Sequence, residues 1–294
     1  MPVPHQTGRC ACGDVEIFYR LLNRGQTTFS RKRGLTPILF VHGLSFFSWD
    51  WVDVAAALAV GREAACMDMR GFGDSGWSAA GDYSVPSMAA DLANLLDHLD
   101  WPRAVLVGHS MGARSTAYLA AKQPARAAGL VLVDYSPDNA PAGSARVAQA
   151  VAGVPDAFAS VDEAMRYFKA APGQRARFEA YLRPVEGGWA VKRDPHFRDQ
   201  FRKALASSER PKLGVDMWQV ISEVRCATLA VRGARSDMFA RETVARLEAA
   251  NPRIRVAEVD AGHNVAGDNP QGFVAALAPF LATLQETGHA HARN

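Results

Sequence analysis

Apolar positions along this chain fall into short uninterrupted runs separated by stretches of helical spacing, a pattern that speaks for strands buried on both faces alternating with helices. Residues 37–41, 64–67, 105–107, 129–134 and 228–233 are such runs, and 254–259 alternates apolar with polar. Residues 15–22, with a strand before them, are expected to form an antiparallel edge, and 26–34 reads as a basic, polar loop. Helical spacing marks 53–59, 86–99 and 111–122, the second capped by Ser84 or the region of Tyr83. The alternation predicts an α/β fold with a mostly parallel central sheet and helices on both faces.

From 137 to 223 this alternation stops. Amphipathic pieces at 161–171 and 175–182 are separated by Pro172-Gly173 and Gly187-Gly188, with no strong strand pattern. The organisation expected is a core of residues 1–136 and 224–294 with a helical cap, 137–223, inserted between its halves. Phe158, Tyr167, Phe168, Tyr181, Trp189, Phe197, Phe201 and Trp218 mostly pack cap helices together, and as a group they favour a partly apolar small-molecule substrate.

Composition narrows the function classes. The 294 residues can bury a large core, and 48% apolar with 21% charged residues is ordinary for a globular protein. Thirty-three basic and 30 acidic residues leave +3, interleaved without a single-sign run, so nucleic acid is not an expected partner. Cys10, Cys12, Cys66 and Cys226 read as reduced thiols, because no second Cys or His pair at ligand spacing accompanies Cys10-Ala11-Cys12; no metal is expected. The first 14 residues lack the apolar core of a signal peptide and no stretch approaches a membrane span, so no membrane partner and a cytoplasmic location are the expectation. Monomer and homodimer stay open.

The chemistry is concentrated at Gly108-His109-Ser110-Met111-Gly112, set between the 105–107 strand and an Ala-rich helix. Two glycines around a serine at a strand-to-helix turn make a nucleophile elbow, where the chain reverses so sharply that the flanking space must stay empty. The turn places the hydroxyl at a helix start, where the Met111 amide faces a developing oxyanion. A serine hydroxyl needs a base, and the base a carboxylate. Asp237 follows the 228–233 strand after a short loop, and His263 follows the 254–259 strand, so the order is Ser110, Asp237, His263. Of the other histidines, His42 and His109 read as structural, and His5, His98, His196, His289 and His291 lack the context of a base.

On these residues the chain resembles the α/β-hydrolase superfamily over nearly its full length. Phe40-Val41-His42-Gly43-Leu44 is similar to the family's oxyanion turn, and Asp68-Met69-Arg70-Gly71-Phe72-Gly73-Asp74-Ser75 to its Gly-rich loop after the next strand. The resemblance implies Ser110 as nucleophile, His263 as general base and then acid, Asp237 as orienting carboxylate, the Leu44 and Met111 amides as oxyanion donors, and a cap shaping the pocket. In this superfamily the acid can also end the strand two earlier, which makes Asp134 the alternative. Epoxide hydrolases and haloalkane dehalogenases carry an aspartate nucleophile, so Ser110 argues against both.

The expectation is therefore a serine hydrolase cleaving an ester or lactone of a small, partly apolar substrate through an acyl-enzyme, with no cofactor. Phe46, Trp49, Arg114 and Trp218 are candidate substrate contacts. Two alternatives stand beside it: a carbon–carbon bond hydrolase or lyase on the same triad, and a low-turnover ligand receptor. A menaquinone-pathway lyase branch looks similar around Ser110-Met111-Gly112 and Arg114, with Ala113 standing where that branch has a second glycine.

Overall fold

The computed structural model describes residues 3–23, 35–138, 140–207 and 214–291, with the last helix's side chains described as far as residue 284. The loop expected over 26–34 lies outside the described residues. The chain opens with β1 (Gln6–Cys12) and β2 (Val15–Leu22), then runs β3 (Ile38–Val41), α1 (Val52–Leu58), β4 (Ala64–Met67) and α2 (Val85–His98). It continues through β5 (Ala104–His109), α3 (Met111–Lys122) and β6 (Ala127–Val133). Next come α4 (Pro141–Ala152), α5 (Val161–Tyr167), α6 (Arg175–Tyr181), β7 (Leu182–Val185), β8 (Gly188–Val191), α7 (Pro195–Ser207) and α8 (Met217–Glu223). The chain closes with β9 (Thr228–Gly233), α9 (Thr243–Ala250), β10 (Ile254–Val259), α10 (Val265–Asp268) and α11 (Pro270–His291).

Eight strands form one sheet in the order β1-β2-β4-β3-β5-β6-β9-β10. β1 and β2 pair antiparallel, β2 joins β4 antiparallel, and every later pairing is parallel. The apolar runs fill both faces because a strand's side chains alternate. Leu39, Val41, Leu106, Leu130 and Leu132 point into one core layer with Met88, Leu92, Leu95, Ala117 and Ile221. Ile38, Phe40, Val105, Val107, Val131 and Val133 point into the other with Trp51, Val54, Phe273 and Leu277. Ser84 caps α2, its hydroxyl accepting the Ser87 amide at 3.3 Å, and Pro86 supplies the preset first-turn φ.

Segment 137–223 is not wholly helical. β7 and β8 form an antiparallel hairpin, Val185 opposite Gly188 across a two-residue turn in which Gly187 has φ +79°. The Gly-Gly pair that reads as a break between helices closes that turn, Gly187 in the turn itself and Gly188 opening β8: positive φ costs glycine little and fits a tight hairpin. This hairpin belongs to a separate apolar cluster of Phe47, Phe158, Phe178, Tyr181, Leu182 and Val191. Beyond β8 the chain leans on the loop after β4: the Gly73 amide donates to the Lys192 carbonyl at 2.7 Å, the Asp194 amide to Gly71 at 2.8 Å, and Lys192 pairs with Asp74 at 2.6 Å.

Asp68 anchors that loop from beneath. Wholly buried, it accepts the Ser48 amide at 2.6 Å and the Asp74 amide at 2.8 Å. Arg70 makes a two-pronged bond to Asp91 on α2, at 2.6 and 2.7 Å. All four cysteines are free; Cys12 lies 3.5 Å from Cys10, sulfur to sulfur, and burial pushes both thiols up. No helix among the described residues is long and apolar enough to cross a membrane.

Candidate active site

β5 ends at His109, and Ser110 turns the chain into α3 with φ 51° and ψ −111°, a region costing on the order of 1–3 kcal/mol for a side-chain residue. The flanking glycines are required by space. A Cβ on Gly108 would sit 2.4 Å from Thr116 Oγ1 and 2.7 Å from the Ala113 Cα; one on Gly112 would sit 2.4 Å from the His42 carbonyl oxygen. The strained turn is held by the Ser110 amide donating to Val133 on β6 at 3.0 Å.

Ser110 Oγ lies 3.1 Å from His263 Nε2, and His263 Nδ1 lies 2.7 Å from Asp134 Oδ2. These bonds assign the ring: Nδ1–H donates to the carboxylate, leaving the Nε2 lone pair facing the serine hydroxyl. Asp134 is buried and also left-handed, at φ 45°. Its remaining capacity is taken by the Gly233 amide, 2.8 Å from Oδ1, and by the Ser236 hydroxyl on Oδ2. His109 Nε2–H donates to the His263 carbonyl at 2.9 Å and tethers the loop that carries the base.

The carboxylate facing His263 is thus Asp134, which corrects the assignment of Asp237. Asp237 points the other way, toward the segment after β6, where it makes a two-pronged ion pair with Arg146 of α4 at 2.6 and 2.7 Å. Arg146 holds the Asp237 carboxyl below the ordinary carboxylate range. The β9–α9 loop turns its serine inward and its neighbouring aspartate outward, so the inward contribution is the Ser236 hydroxyl. Sequence reasoning passed over Ser236. A sequence signal for Asp134 exists: it is the first polar residue after a run of buried strand positions.

The turn after β3 packs against the elbow at Gly43 and at Phe46, whose ring centre lies 5.1 Å from that of His109. A Cβ on Gly43 would be 2.8 Å from His109 Nδ1 and 3.2 Å from the Ser110 Cβ. His42 braces the turn from both sides, Nδ1–H donating to the Gly43 carbonyl at 2.8 Å and Nε2 accepting the Met69 amide at 2.9 Å. Leu44 and Met111 line the same cavity as Ser110, and neither amide has an acceptor among the described residues. Phe46 lines it too.

Two other candidate contacts do not. Trp49 packs under the Arg20 guanidinium, 5.1 Å from its ring centre, and Trp218 is held by Arg246 at 3.9 Å while its Nε1–H donates to Asp138. Sequence shows that an aromatic is near the site, but not which way its ring points. Arg114 does line the cavity.

The cavity measures about 1770 Å³, against roughly 300–1,000 Å³ for a typical small-molecule site. Its walls come from the loop after β3, the start of α3, and α4, α6 and α7, with His263 and Ser110 together on one side.

Burial pushes His42 down to about 4. The sign follows from that depression: near pH 7 the imidazole is neutral in both folded and unfolded chains, and below about 6.5 unfolding takes up a proton that the folded chain refuses. Its stabilising contribution, about 3 kcal/mol over this range, is full above pH 6.5 and lost as pH falls toward 4. Urea titrations at pH 7 and pH 4 are expected to show His42→Gln less stable at neutral pH but with a flatter pH dependence. Parallel slopes for the two proteins would refute it.

Comparison with known proteins places the fold in a family. A family model described as the alpha/beta hydrolase fold matches residues 36–270. A 3-hydroxybutyrate-oligomer hydrolase of Cupriavidus necator is 31% identical over 265 residues, covering 84% of this chain and 88% of that protein. A 2-(acetamidomethylene)succinate hydrolase of Mesorhizobium japonicum is 28% identical, over 89% and 94%. Among solved structures, that of E-2-(acetamidomethylene)succinate hydrolase superposes with a TM-score of 0.81 at 23% identity, over 95% of this chain and 100% of that one.

Proposed function

The chain belongs to the α/β-hydrolase family, and we propose on that footing that it hydrolyses esters of small, partly apolar acids through an acyl-enzyme on Ser110. What carries the reading is the hydrogen-bonded chain from Ser110 through His263 to Asp134, opening on a large cavity. His263 takes the Ser110 proton as the oxygen attacks the ester carbonyl, and the Leu44 and Met111 amides receive the oxyanion. Asp134 stabilises the imidazolium, which then protonates the departing alkoxide. Water, deprotonated by His263, attacks the acyl-enzyme and releases the acid. The similarity to a hydrolase named for hydroxybutyrate oligomers favours an ester of a hydroxy acid, and the cavity volume suits an extended substrate.

A panel of p-nitrophenyl esters of increasing acyl length tests this, with a fluorophosphonate probe followed by intact-mass and peptide analysis. One phosphonyl group per chain, on Ser110, with turnover of at least one short acyl ester is the expected result. Labelling at Ser110 without turnover of any ester would refute ester hydrolysis and favour carbon–carbon bond cleavage of a vinylogous diketone. No labelling and no turnover would favour the receptor reading.

A further inference from the structure

The cavity is lined by arginines with very different company. Arg146 is paired with Asp237, Arg177 with Asp50 at 3.0 Å, and Arg235 with Asp260. The acids on its walls are also engaged: Asp138 takes Arg246 and the Trp218 indole, and Asp268 accepts the Gly262 amide. Arg114 and Arg193 face the same space with no ion pair among the described residues. Arg114 Nε is fully enclosed and has no hydrogen-bond partner, and the neighbouring Tyr135 hydroxyl is likewise buried and unpartnered. Arg193 is only 5% exposed.

A guanidinium stays charged in a protein, and burying one without a counter-ion is costly. The Tyr135 phenol does not offset it, because burial keeps that hydroxyl protonated far above neutrality. Arg114 lies four residues beyond Ser110 in α3, about 6 Å along the axis, and side chains on a helix tilt back toward its N-terminus. The guanidinium is therefore carried toward the nucleophile end. This positive charge, without an ion pair among the described residues, sits where a substrate would, and its planar fork matches a carboxylate.

We propose that the cavity selects a substrate bearing a free carboxylate, which Arg114 holds one helical turn from the nucleophile while Arg193 adds a second unpaired positive charge. This deepens the ester-hydrolase reading and rests on it for the reaction, but not for binding. Arg114 is a binding residue here, and the carboxylate is a group remote from the bond that breaks.

The test compares p-nitrophenyl hydrogen glutarate with p-nitrophenyl valerate, which share a five-carbon acyl chain and differ in the terminal charge. The wild type is expected to favour the acidic ester in kcat/KM by tenfold or more. Arg114→Gln is expected to erase about tenfold to a hundredfold of that ratio, with Arg114→Lys intermediate and Arg193→Gln losing a smaller part. Since the removed charge has no ion pair among the described residues, the Arg114→Gln melting temperature is expected to hold or rise. Equal use of both esters by the wild type, or an equal loss on both in a destabilised Arg114→Gln, would overturn the proposal. Calorimetric titration of glutarate separates the two readings. If neither ester turns over yet glutarate binds the wild type and binds Arg114→Gln at least tenfold more weakly, ester hydrolysis fails and carboxylate recognition stands; if glutarate does not bind either, carboxylate recognition fails.

Discussion

Asp134→Asn is expected to lower kcat on p-nitrophenyl esters by about 10⁴-fold, while Asp237→Asn retains kcat within about threefold. The asymmetry follows from who receives the His263 Nδ1–H. An amide at position 134 keeps the volume and the bond from the Gly233 amide, but turning its NH2 toward the ring favours the opposite tautomer, with the proton on Nε2, where it blocks abstraction from Ser110. It also removes the negative charge that stabilises the imidazolium. At 237 the loss falls on an ion pair whose two side chains are 52% and 37% exposed, and such pairs contribute little to stability. Steady-state kinetics on one ester, with circular dichroism to confirm folding, decides it. Comparable losses in the two variants would return Asp237 to the triad.

The second large effect is on stability. Gly112→Ala is expected to cost about 2–4 kcal/mol, or roughly 5–15 °C in melting temperature, for one added methyl group. Its Cβ would meet the His42 carbonyl oxygen at 2.4 Å and that of Val41 at 2.7 Å, both backbone atoms at the end of a central strand. No side chain can swing aside, so α3 must part from β3. That separation also pulls the Met111 and Leu44 amides apart, so kcat is expected to fall with stability. Gly173→Ala is the control: a Cβ there meets nothing within 4 Å, and its thermal melt should stay within about 1 kcal/mol of the wild type. Similar melts for both variants would mean that the elbow relaxes more easily than its packing implies.

What was legible in the sequence and what was not divides along a physical line. The parallel strands announce themselves because burial on both faces demands unbroken apolar runs, as at Leu130 to Val133. The elbow does so because close backbone approach tolerates only glycine at 108 and 112. Both are local constraints, written into adjacent residues. The partner of His263 is decided by neither: Asp134 and Asp237 each follow a buried strand, and each satisfies the order Ser, Asp, His. Only the relative rotation of two loops turns Ser236 inward and Asp237 toward Arg146. For the same reason Phe46 could not be told from Trp49, nor the β7–β8 hairpin from a break between helices, since Pro184 and two glycines obscure its alternation. Arg114 reads in sequence as a candidate substrate contact, and only tertiary structure shows that it has no ion pair among the described residues.

The placement of Asp134 directly after β6 keeps the proton relay off residues 137–223. Ser110, His263, Asp134 and the Ser236 hydroxyl that supports it all stand on the sheet and its immediate loops, on either side of residues 137–223. Asp237, first in line for the triad from sequence, clasps α4 instead. The relay therefore does not run through residues 137–223: Asp237 reaches that segment through a partly exposed ion pair with Arg146, and a change that removes Arg146 leaves the bonds among Ser110, His263 and Asp134 in place.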